Sequence, residues 1–179
     1  MIDNFRRVEN LFLQSAIKRM AYYKELGDKT FAQLTDENFH FTPAEECNSI
    51  AIIIQHMHGN MLSRWTDLLT SDGEKEWRER DNEFEEQNFN KEQLLQLWED
   101  GWKCFLGALR SLPAADLEKT IHIRGEPLSV TDAINRQLAH YPYHVGQIIY
   151  VAKILKNTGW KNLSIPKGGS GEFNNKMKP

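Results

Sequence analysis

Apolar residues recur at helical intervals over most of the chain. From Phe5 to about Leu34 the apolar positions are Val8, Leu11, Phe12, Ala16, Met20, Tyr23 and Leu26, a period near 3.6 rather than an alternation. Gly27 interrupts this pattern at a cost of roughly 1 kcal/mol relative to Ala, and the helix is predicted to continue past it. Phe39 to Pro43 reads as a loop, because the residue before a proline is pushed out of the helical region. Asn48-Ser49 offers an N-cap for a second helix from Ile50 to about Leu69, with Ile50, Ile53, Ile54, Met57, Met61, Trp65 and Leu68 as its apolar set. The turn-forming run Thr70-Ser71-Asp72-Gly73 closes it.

The next stretch, Glu74 to Gln87, is dominated by charge and is predicted to be a solvated loop anchored by Trp77 and Phe84. A third helix starts near Asn90, carries Leu94, Leu97, Trp98, Trp102, Phe105, Leu106 and Leu109, and ends before Pro113. Thr120 to Arg124 then alternates, Gly125-Glu126-Pro127 turns, and Leu128 to Val130 returns, which reads as a small hairpin. The fourth helix runs from about Thr131 to Lys156, with Ile134, Leu138, Tyr141, Val145, Ile148, Ala152 and Leu155 along one stripe. The segment 157–179 is rich in Gly, Ser and Asn and is expected to lack regular structure. The pattern predicts an all-α fold, a four-helix bundle with a small hairpin before its last helix. All 179 residues form one domain in this reading.

Composition removes several function classes. With 22 Lys and Arg against 25 Asp and Glu, the net charge is -3, so a strongly basic nucleic-acid binder is excluded. No apolar run approaches the roughly 18 residues of a membrane span. The first residues mix charge into their apolar positions, unlike a secretory leader. Two cysteines, Cys47 and Cys104, make no disulfide framework, and a cytoplasmic setting is expected.

The six histidines carry the candidate chemistry. His140 and His144 lie four apart on the fourth helix, about 40° apart around its axis, so two imidazoles share one face. Gln147, three residues on, can orient a ligand. The second helix supplies His56 and His58, and a third ligand completes the count of catalytic zinc sites that keep an open position. The periodicity mildly favours His58 as the buried one, whereas His56 lies on the flank of the stripe, as do His140 and His144. The pattern alone leaves both open. His40 and His122 read as surface or loop residues. Asn60 and Arg64, one and two turns beyond His56, border the candidate site; for Arg64 a surface salt bridge is the competing role.

Asn48-Ser49-Ile50, the run His56-Met57-His58-Gly59-Asn60 and the element HYPYHVGQ from His140 to Gln147 resemble the DinB/YfiT-like family of metal-dependent enzymes. The phrases SRWTDLL, DGEKEWRERDNEF and LSIPKGGSGEFN extend the resemblance over nearly the whole chain. The resemblance implies an up-down-down-up bundle with a divalent metal, usually zinc or nickel, on His56, His140 and His144. It further implies an enzyme with a small-molecule substrate, most simply an S-transferase working with a low-molecular-weight thiol such as bacillithiol. Separately, the aromatic residues Trp77, Trp98 and Trp102 could serve a partner or a homodimer. A metal-dependent hydrolase, or a metal-stabilised module without turnover, fits the same ligands. One departure is Pro142, between the two histidines, where it removes an N–H and meets the carbonyl of Leu138. A bent helix that keeps both imidazoles on the metal is expected.

Overall fold

The computed structural model describes residues 2–177. Four long helices dominate: α1 (Ile2–Phe31), α2 (Ile50–Trp65), α3 (Lys91–Ser111) and α4 (Val130–Lys156). A hairpin of β1 (Thr120–Ile123) and β2 (Glu126–Ser129) precedes α4, and a short α5 (Ser170–Lys176) lies near the end. Helix α2 packs chiefly along α3 and α1 along α4, while α1 also meets α3 and α2 also meets α4. No helix among the described residues is long and apolar enough to cross a membrane.

Helix starts follow their caps. The Ser49 hydroxyl accepts from Ile52 N (3.2 Å) and the Ser129 hydroxyl from Asp132 N (3.0 Å). Asn90 and Gln93 form a reciprocal capping box at α3, so donors that the helix itself leaves free are satisfied. Helix α2 stops at Trp65, four residues short of the predicted Leu69, because Asp67 takes a left-handed conformation (φ 51°) and its carbonyl accepts from Thr70 and Ser71. Gly27 does not interrupt α1. A Cβ there would lie 2.8 Å from Cη2 of Trp98, so the missing side chain admits the indole, whose Nε1 donates to Asp28 Oδ1 at 2.8 Å.

The core is aromatic and sulfur-rich: Met20, Phe31, Phe39, Met57, Met61, Trp98, Trp102, Phe105 and Tyr141 are almost fully buried. The hairpin pairs Thr120 with Ser129 and Ile123 with Glu126 in antiparallel register. Its two turn residues, Arg124 and Gly125, both have positive φ (58° and 74°), the geometry that matches the twist of a two-residue hairpin. The Asp72 carboxylate accepts from both of their backbone N–H groups at 2.8 Å, which ties the loop after α2 to the hairpin.

The polar tail departs from expectation. It forms a 3-10 turn at Asn157–Gly159 and the helix α5, and Trp160 and Leu163 pack against the core. Lys161 N donates to Gln33 Oε1 (2.8 Å) and Gln33 Nε2 donates back to Lys161 O (3.1 Å). Its composition concealed these two apolar anchors. Pro142 lies inside a continuous α4; the helix carries on through it, and both flanking histidines keep a common side.

Candidate metal centre

His56 on α2 and His140 and His144 on α4 meet where the two helices face each other. Their Nε2 atoms converge: His56 to His140 is 3.3 Å and His144 to His140 is 3.0 Å. One ligand atom from each lies within 4.8 Å of the others. The opposite ring nitrogens are all held from outside. His56 Nδ1 is 3.0 Å from Glu83 Oε2, His140 Nδ1 is 3.2 Å from Gln137 Oε1, and His144 Nδ1 is 2.8 Å from Gln147 Oε1. With each Nδ1–H donating to an oxygen, each Nε2 turns a lone pair inward. Three lone pairs at this separation repel one another unless a cation sits among them. That donor set fits a divalent metal with an open position.

Burial keeps the rings of His140 and His144 neutral, as ligands must be. Burial, and then the neighbouring His144 and His56, push His140 down to about 3. His144 falls to about 4, lowered by burial, raised in part by its hydrogen bond to Gln147 and lowered again by His56. Gln147, beside His144 Nδ1, also donates from Nε2 to the Tyr143 hydroxyl (3.0 Å).

The choice between the two α2 histidines goes to His56, which is buried, whereas His58 is half-buried and outside the cluster. The periodicity misled because the apolar stripe of α2 faces mainly α3. His58 lies on that side, where a Cβ on Gly101 would be 3.2 Å from its Cα. The flank carrying His56 faces α4. His122 is exposed, as expected, and His40 is half-buried beside Glu86 (3.1 Å).

Asn60 and Arg64 are both buried, with their polar groups engaged inside the protein. Asn60 Oδ1 accepts from the Tyr141 hydroxyl (3.0 Å), which accepts in turn from Trp65 Nε1 (3.1 Å). Arg64 donates to the Gly73 carbonyl and pairs with Glu74 at 2.9 Å. The free thiols stand apart from the histidines: Cys47 is exposed and Cys104 half-buried.

Glu83 is the residue that sequence reasoning missed. The charged segment is a loop with a short 3-10 turn at Asp81–Phe84, but two of its charges are not solvated. Arg78 Nε donates to Glu83 Oε1 (2.7 Å) and Arg78 Nη2 to Oε2 (2.9 Å), with both side chains buried. Burial pushes the Glu83 carboxyl up, but hydrogen bonds from His56 and Arg78 outweigh it and hold it below the usual range. Nothing within that run marked the pair; the mid-helix Gly59 on the facing α2 hinted that something approaches closely.

A helical fold carrying a three-histidine cluster that can hold a metal ion is thus the class of protein that fold and site define. A family model described as "Protein of unknown function (DUF1572)" matches residues 7–169, and the chain belongs to that family. No curated protein matches it.

Proposed function

We propose that this protein is a metal-dependent enzyme that holds a divalent ion, zinc or nickel, on His56, His140 and His144 and transfers a low-molecular-weight thiol such as bacillithiol to a small electrophile. The single observation that carries the reading is the convergence of three Nε2 atoms whose Nδ1 partners are all engaged outward. The long-range resemblance of HMHGN and HYPYHVGQ to the DinB/YfiT-like family adds the thiol and an up-down-down-up order of the helices.

A divalent ion at such a site lowers the pKa of a thiol or water that binds it and so provides a nucleophile at neutral pH. The chain's own residues do the rest. The depressed His140 and His144 stay neutral at pH 7. Gln137, Gln147 and Glu83 fix the ring orientations. The aromatic ring of Phe84, 4.8 Å from that of His56, shields one side from water. Neither cysteine lies at the site, so the reacting thiol comes from a second molecule.

Elemental analysis of protein purified without a histidine tag tests the metal first. About one equivalent of zinc or nickel is expected, lost in His144→Ala; wild-type protein without metal overturns the reading. Conjugation of a generic electrophile to bacillithiol, mycothiol, glutathione or coenzyme A then tests the reaction. Metal-dependent turnover with one of them is expected. A metal-loaded protein inert with every thiol overturns the transferase. That result selects the second reading, a metal-stabilised module, which the position of the ligands on two different helices favours.

A further inference from the structure

We infer that Glu83 is the positioning residue of His56, and that Gly59 exists to seat its carboxylate against α2. The inference rests on the metal reading above and adds a part that the ligand set does not include. Four observations converge on it. The carboxylate of Glu83 accepts from His56 Nδ1 through Oε2 at 3.0 Å, the only one of the three ring contacts made by a charged group. A carboxylate there fixes the tautomer and makes the opposite nitrogen a stronger donor than an amide oxygen does.

The carboxylate is itself locked. Arg78 grips it with two hydrogen bonds from its planar fork, a geometry in which both oxygens are oriented at once. Its own backbone and that two residues on are tethered to α2, because Gln55 Nε2 donates to the carbonyls of Glu83 (3.3 Å) and Glu85 (2.9 Å). Finally, Glu83 lies directly on Gly59: a Cβ at that position would clash with Oε1 and lie 2.7 Å from Cδ. A glycine in the middle of a helix is less favourable than alanine. Here it leaves a slot for one side chain, three residues from the histidine that this side chain orients.

Zinc affinity, measured by competition with a chromogenic chelator, tests this on five forms: wild type, Glu83→Gln, Gly59→Ala, Glu83→Ala and Gly59→Ala/Glu83→Ala, the fourth serving as reference for the last. The visible absorption of the cobalt-loaded forms reports the ligand field, and thermal midpoints of the metal-free forms report folding. Glu83→Gln is expected to weaken zinc 10–100-fold, the range for such outer partners, and to shift the cobalt bands. Gly59→Ala is expected to do likewise in the wild type, by displacing the carboxylate, and to cost nothing further in the Glu83→Ala background. Gly59→Ala keeps every charge, so it answers the question even where removing Glu83 strands Arg78 and prevents folding.

Wild-type affinity with an unchanged cobalt spectrum in Glu83→Gln overturns the inference while leaving the metal reading intact. Losses that track the metal-free midpoints without a spectral change, or that add in the double variant, overturn it as well. A wild type that binds no zinc or cobalt overturns both.

Discussion

Burial holds His140 and His144 in their neutral form, and this dictates how the metal-free protein responds to acid. Both rings bind protons less readily when folded, at about 3 and about 4, than at the ordinary value of 6.5 in the unfolded chain. Below pH 6.5 the unfolded state therefore takes up more protons, and stability falls as pH drops from 6.5 through about 3. The urea midpoint of the metal-free protein should be nearly constant above about pH 7 and decline below 6.5. In His140→Gln/His144→Gln that part of the decline should disappear. At the same scale, the Tyr141 hydroxyl connects Trp65 Nε1 to Asn60 Oδ1 in a buried chain. Tyr141→Phe leaves a donor and an acceptor without their partner, at about 1–3 kcal/mol each. Urea unfolding should show a loss of about 2 kcal/mol or more, with zinc affinity unchanged because no ligand contact is touched.

At the level of elements, Pro142 is the costly feature. An interior proline removes one helix hydrogen bond and crowds the carbonyl four residues back, at about 3 kcal/mol, yet α4 runs unbroken from Val130 to Lys156. Pro142→Ala should raise the stability of the metal-free protein by about 1–3 kcal/mol in urea unfolding. No gain would mean that the surrounding packing already accommodates the ring.

The elements themselves were legible because their period, caps and turn residues agree: Ser49, Asn90 and Ser129 all cap where the apolar stripes begin. The His140 and His144 pair was legible for the same reason, since four residues is one helical turn. The choice of His56 over His58 was not legible in the periodicity and came only with the family resemblance. It depends on which neighbour each flank of α2 faces, and a single helix's pattern carries no information about that. Glu83 and Arg78 were hidden for a different reason. Each makes the other buriable, so their burial is a property of the pair, and composition reads the pair as two solvated charges.

Across the whole molecule, the metal ligands sit on two helices that otherwise pack mainly on other partners, α2 on α3 and α4 on α1. An ion held by His56, His140 and His144 would add a cross-link between these two pairs that the apolar core supplies only sparingly. Because such a site exists only when both helices are in place, the ion binds the folded state and stabilises it by mass action. At a free concentration a thousandfold above the dissociation constant the gain is about 4 kcal/mol. For a domain of this size each kcal/mol moves the thermal midpoint by roughly 2–4 °C, so adding zinc to chelator-treated protein should raise the midpoint by roughly 8–16 °C. The same addition should leave His144→Ala nearly unmoved. A wild-type midpoint indifferent to zinc would mean that the two helix pairs do not depend on the ion. An equal rise in His144→Ala would place the zinc elsewhere on the surface. The measurement is independent of any substrate, so it separates the cluster's part in holding the fold from its part in chemistry.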